Sequence, residues 1–145
     1  MKYSLANYIL SVQPDDPALA RMFNTVSVGG EGDALSSISI SLDNDLWSTD
    51  GFATGAWVHN KNLSRIGSIS ITISQLSDKI TKFKQMCNVY YNNDYSGFTL
   101  TLSDSEGNKV CTALDSYLTR IPEQSFADTA GTQTWNFTCG EITFN

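Results

Sequence analysis

Two short segments, Ser37-Ile38-Ser39-Ile40-Ser41-Leu42 and Ser68-Ile69-Ser70-Ile71-Thr72-Ile73-Ser74, alternate hydroxyl and aliphatic residues without a break. A period of two is the strand period, so each segment places its aliphatic residues on one face and its hydroxyls on the other. One face is then buried. The other is polar, smooth and almost free of charge. A sheet of this kind is a wall with a core behind it and water or a partner in front, which is not the lining of a catalytic cleft.

The chain has 145 residues, the length of one domain spanning 1–145. A domain near that size buries roughly 68–70% of its unfolded surface and can fold without metal or disulfides. Charged residues make up only 17%, against about 25% in typical soluble domains. Such a low share hints that other subunits cover part of the surface. The net charge of −6 argues against tight binding of nucleic-acid phosphates, which needs a basic patch. Cys87, Cys111 and Cys139 are odd in number and widely spaced, with no paired Cys or Cys/His motif. That pattern predicts buried free thiols in a reducing compartment, and no metal site or other cofactor. The first ten residues lack the apolar run and small-residue cleavage site of a signal peptide. No segment approaches the ~18 apolar residues of a membrane span. A cytosolic product, or one exported only within something larger, is expected, with no membrane insertion.

Along the chain, Ser4 to Val12 reads as a strand ended by Gln13-Pro14-Asp15-Asp16-Pro17, and Ala18 to Phe23 has room for one helical turn. Gly29-Gly30-Glu31-Gly32-Asp33 reads as a flexible link. Between the two wall strands lie residues 43–66, a long loop or ribbon. Loops of that length in compact domains are usually functional or disordered. Trp47, Phe52, Trp57 and Val58 argue against disorder, so the segment reads as a contact arm. Beyond Ser74 the period changes. Leu76, Ile80, Phe83, Cys87 and Tyr90 form one helical stripe. Ser77 is the expected N-cap, Leu76 a staple, and Asn92-Asn93 the end. Its outer side carries Lys79, Lys82 and Lys84, a basic face on an acidic chain. Phe98–Ser103 and Lys109–Leu114 read as a hairpin through Asp104–Asn108, the second strand running on to Leu118. Ile121-Pro122 breaks it, a polar loop follows, and Thr134 to Phe144 alternates as a last strand. The fold class is mostly β with one α-helix, a β-sandwich or barrel whose open edge or face the helix covers.

Catalytic chemistry finds little to build on. His59 is the one histidine, and no zinc-type His/Glu spacing, nucleophile elbow or phosphate-binding loop accompanies it. Asp43/Asp45 and Asp104/Glu106 lie at strand ends and turns, where acids serve local hydrogen bonds. The chain therefore reads as a non-enzyme. Trp47, Trp57, Tyr90, Tyr91 and Tyr95 leave two options open. They form the stacking platform of a monomeric β-sandwich that binds carbohydrate or peptide, or they are anchors for docking subunits.

The ordered set of motifs resembles the tail tube proteins of tailed phages, in particular the group of Mu-like contractile tails. The resemblance rests on Ser37-Ile38-Ser39-Ile40, Asp45-Leu46-Trp47-Ser48-Thr49-Asp50-Gly51, Ala53-Thr54-Gly55-Ala56-Trp57-Val58-His59-Asn60 and Gly67 to Ser77. It continues more weakly through Asp104–Gly107 and Ile121-Pro122. Ala53-Thr54-Gly55 departs from it where an acid beside the glycine is expected. What it implies is a structural virion protein: strands join those of neighbours in a hexameric ring, and stacked rings form a hollow tube that conducts DNA during ejection. The 43–66 loop would reach the adjacent ring through Trp47, Asp50, Trp57, Lys61 and Arg65. The Lys79/Lys82/Lys84 face would meet a sheath protein. The hydroxyl faces, with Asp43 and Asp115, would line a lumen that DNA traverses without specific binding. Implied partners are further copies of the chain, a sheath, a tape measure protein, a baseplate and a tail terminator. The implied location is the phage tail, assembled in the host cytoplasm.

Overall fold

A computed structural model describes all residues, Met1–Asn145. The strands are β1 (Tyr8–Pro14), β2 (Val26–Gly29), β3 (Leu35–Leu42), β4 (Trp47–Gly51), β5 (Trp57–Lys61), β6 (Gly67–Ser74), β7 (Phe98–Asp104), β8 (Lys109–Leu118) and β9 (Thr132–Phe144). Two helices, α1 (Pro17–Met22) and α2 (Lys79–Asn92), complete the fold. Seven strands form one antiparallel sheet in the order β2-β1-β7-β8-β9-β6-β3, and β4 and β5 form a separate two-stranded ribbon. Of the sandwich and barrel alternatives, the molecule takes a curled half-barrel.

The curl follows from chain length. Six strand spacings of about 4.8 Å would separate β2 from β3 by roughly 29 Å in a flat sheet. Gly29 and Leu35 are joined by six residue steps, which span at most about 21 Å. The two edges must therefore bend toward each other, and Leu35 Cδ2 comes to lie against Gly29. Gly29 and Gly30 turn there with φ of 108° and 88°, values that glycine adopts without penalty. Asp33 fixes the corner: its Oδ2 accepts from the Gly29 amide at 2.8 Å and its Oδ1 from the Ala34 amide at 2.8 Å. β2 and β3 are not paired with each other, so each keeps an open edge.

The core lies inside the curl. Ile69, Ile71 and Ile73 of β6 are buried and their hydroxyl neighbours are not, as the alternation predicts. α2 closes the inner face with Ile80, Phe83, Met86 and Cys87. The Phe83 ring meets Trp135 at 5.5 Å and Phe137 edge-on at 6.0 Å. All three cysteines are free and buried.

Several local readings are corrected. The first strand begins at Tyr8, after a 3-10 turn over Leu5–Asn7, and runs past Val12 to Pro14. Proline is tolerated there because β2 pairs with β1 only as far as Val12, leaving the Pro14 nitrogen side without a ladder to feed. The predicted link at Gly29–Asp33 is preceded by the four-residue strand β2, whose Val26 and Val28 are buried. The helical turn expected over Ala18 to Phe23 is present as α1, Pro17–Met22, so the fold has two helices rather than one. Pro17 occupies its first turn and the Asp16 carboxylate accepts from the Ala18 amide at 2.9 Å. Ser77 stands one residue before the cap: its Oγ accepts from the Lys79 amide at 3.3 Å, and Asp78 occupies the cap position without a side-chain bond. Leu76 is 78% exposed and staples nothing.

One irregularity was invisible in the sequence. Burial along β8 steps from Cys111 and Ala113 to Ser116, and along β9 from Cys139 to Ile142. The β7–β8 register slips by one residue at the same level. Asp115 takes φ 52°, the one non-glycine residue in the left-handed region, and stands beside Gly140. This β-bulge bends both long strands and so supplies part of the curl.

Candidate assembly surfaces

Three surfaces carry the residues singled out above. The first is the face of the sheet turned away from α2. Ser27, Ser11, Thr101, Thr112 and Thr143 lie in one cross-strand row over five adjacent strands. Further along, Ser41 faces Ser68 (Oγ–Oγ 3.3 Å), Ser70 donates to Asn136, and Thr72 faces Thr134 (3.0 Å). Cross-strand hydroxyl pairs satisfy one another and stabilise each register by a few tenths of a kcal/mol, up to about 1. None of the residues in these rows is charged. Beside them Glu141 meets Arg65 at 3.8 Å, the single ion pair of the chain. Asp43 and Asp115 stand at the two ends of one cross-strand row, three strand spacings or about 14 Å apart. The Asp43 amide donates to Ile66 at 3.0 Å, and the ladders β6–β9 and β8–β9 carry that row on through Gly140 to Asp115.

The second surface is the ribbon. Every residue of β4 and β5 is exposed, and its strands pair only with each other. The pairs Trp47↔Lys61, Thr49↔His59 and Gly51↔Trp57 set Trp47, His59, Trp57 and Lys61 on one side. Lys61 Nζ lies 5.4 Å from the centre of the Trp47 ring, within cation–π range. Thr49 Oγ1 and His59 Nδ1 are 2.8 Å apart. Asp50 points to the other side, where it accepts from Asn60 at 2.7 Å. At the tip, Phe52 and Ala56 close the turn with an N–H···O bond of 2.8 Å. Trp57 is 69% exposed and Trp47 55%. Arg65 does not belong to the ribbon: it lies at its root, on β9, where its guanidinium also reaches Thr143 at 3.5 Å.

The third surface is α2. Lys82 is exposed and Lys79 and Lys84 half-buried, all on the helix that covers the inner face of the sheet. The tyrosines do not join the tryptophans. Tyr90 packs edge-on against Tyr95, Phe98 and Tyr117, with centroids 5.7–6.2 Å apart. Burial, with the charges of nearby Asp16, Asp15 and Asp115 behind it, pushes the Tyr90 phenol well above the ordinary tyrosine range. A single stacking platform of Trp47, Trp57, Tyr90, Tyr91 and Tyr95 is therefore not formed. Sequence reasoning missed Tyr117, whose place beside Tyr90 follows from the bulge.

The fold has counterparts elsewhere. Over the whole chain the fold matches the sheath/tube terminator of the PVC extracellular contractile injection system in its extended state (TM-score 0.61, 15% identity, 100% of this chain and 97% of that one). It matches the tube-terminating cap of the anti-feeding prophage equally well (0.61, 13% identity, 100% and 93%). A chain of the extended PVC sheath–tube complex scores 0.61 at 15% identity, with 100% and 92% covered. At such low identity these likenesses show the fold. No curated protein matches the sequence significantly. The family model of the bacteriophage PhiTE tail tube protein matches residues 20–145, and the chain thus belongs to that family of structural phage tail proteins.

Proposed function

We propose that copies of this chain form hexameric rings that stack into the hollow tube of a phage tail, through which DNA passes during ejection. The observation that carries the reading is the ribbon. Trp47 and Trp57 stand on a two-stranded arm that buries nothing on its own body, and an isolated arm of that kind gains stability when a partner covers it. Two open strand edges, β2 and β3, are the other unfinished feature, and pairing with neighbours removes them. Rings repeated head to tail give an open filament.

The two faces of the sheet divide the remaining roles. The hydroxyl rows suit the bore: they carry no charge of their own, and the cation beside them, Arg65, is paired with Glu141, so DNA slides without sticking. Asp43 and Asp115, in one row, add weak repulsion there. α2, on the opposite face, then looks outward with Lys79, Lys82 and Lys84 toward a sheath. A tape measure protein would occupy the bore during assembly in the host cytoplasm, and a baseplate and a terminator would close the ends.

Assembly is the test. Electron microscopy of the purified, concentrated chain should show six-fold rings or hollow tubes. A monomer at every concentration that binds a glycan or peptide saturably would instead establish the carbohydrate- or peptide-binding alternative. For the helix, the triple change Lys79→Glu, Lys82→Glu, Lys84→Glu should leave tubes intact and abolish sheath assembly on them. Normal sheathing of that variant would refute the role of the lysine face.

A further inference from the structure

At the C-terminal end of α2 a pocket of about 250 Å³ opens between Cys87, Tyr90, Tyr91, Tyr117, Leu118 and Arg120. We propose that this pocket receives the ribbon tip of another copy of the chain, with Trp57 as the inserted side chain. The inference rests on the ribbon's role in stacking and names its receptor.

Position is the first support. The ribbon root lies beside Thr143, which pairs with Thr112 near the start of β8. The pocket is built on Leu118 and the residues that follow, at the other end of β8. Six residue steps from Thr112 to Leu118 span about 20 Å, and β3 runs into the arm in the direction of Phe144 and Cys111, away from the pocket. One subunit's arm thus points toward the next subunit's pocket in a head-to-tail stack. Size is the second. A cavity of about 150 Å³ holds benzene, and this one is large enough for an indole.

Chemistry is the third. The pocket walls are three tyrosines, a leucine and the Cys87 thiol, which burial pushes up to about 11 and so keeps neutral. Asp15 and Asp16 stand close by: Asp16 accepts from the Ser96 amide at 3.3 Å, and Ser96 in turn accepts from the Tyr90 hydroxyl at 2.8 Å. Those carboxylates complement Lys61, which shares the Trp57 side of the ribbon. Arg120, on the rim, has no ion-pair partner in its own chain and complements Asp50 on the ribbon's other side. The opposite charges lie on the matching surfaces.

Cysteine cross-linking between full-length chains tests the assignment. Ala56 and Thr119 are exposed neighbours of Trp57 and of the pocket. Mixing Ala56→Cys with Thr119→Cys at high concentration under mild oxidation should give a disulfide dimer in several-fold excess over Ala56→Cys mixed with Glu106→Cys, which lies on the hairpin at the opposite end of β8. Adding Trp57→Ala to the first chain should reduce the yield to the control level. A yield no higher than the control, with far-UV circular dichroism confirming folded chains, overturns the pocket as receptor. Thr119→Trp, which fills the pocket, should block tubes, and tubes of normal length from it overturn the assignment equally. If Trp57→Ala destroys tubes while cross-linking stays at the control level, the arm still stacks rings and only the receptor is wrong. If Trp57→Ala forms normal tubes, the arm's role fails and the receptor with it.

Discussion

Trp57→Ala should yield a folded, soluble monomer that no longer builds tubes. The side chain is 69% exposed and leaves no cavity when removed, so the unfolding free energy should change by no more than about 0.5 kcal/mol. At an interface the balance differs. Truncating a buried tryptophan anchor costs about 2–4 kcal/mol, and every 1.4 kcal/mol is tenfold in affinity. The concentration needed for assembly should therefore rise by roughly 30- to 700-fold. Pelleting and negative-stain microscopy read this out, with urea unfolding as the control. Tubes of normal length at the wild-type threshold would remove the ribbon from ring stacking.

Phe83→Ala should have the largest effect on the monomer itself. Phe83 is fully buried, the largest side chain that α2 buries, and it joins the helix to Trp135 and Phe137 of β9. Phenylalanine-to-alanine changes at such sites cost about 3–5 kcal/mol, against a total stability of about 5–15 kcal/mol. Urea denaturation should show a midpoint shifted by a large fraction of its value. A loss under about 1 kcal/mol would mean that α2 is not anchored through this ring. The contrast with Trp57 separates the two aromatic populations, one sustaining the fold and one awaiting a partner.

Where local pattern decides, the sequence was readable. β6 alternates over eight residues with one face buried, and each isoleucine went inside. The β7–β8 hairpin is fixed by its turn: Asp104 Oδ1 accepts from Glu106 and Asn108 at 3.0 and 2.9 Å, and Gly107 supplies φ 86°. The long segment between the two wall strands was legible as an ordered ribbon, and its aromatics stand exposed. The helix stripe was right at Ile80, Phe83 and Cys87, but Leu76 lies outside the helix, and Met86 completes the buried side instead. Short or nonlocal features escaped. β2 has only two core residues and exists because β1 offers it a ladder. The Asp115 bulge forms opposite Gly140, 25 residues away, and no local signal announces it. The pocket escaped for the same reason, since Tyr117 reaches Tyr90 only once the bulge and the end of α2 are in place.

A three-dimensional reconstruction of tubes assembled from the purified chain would decide how the subunits are used. The expected map has six-fold rings, the residue 47–61 ribbon crossing into the adjacent ring with Trp57 buried there, and the hydroxyl rows of Ser11, Thr101, Thr112 and Thr143 facing the bore. A ribbon folded back along its own ring, or α2 and its lysines lining the bore, would contradict the arrangement.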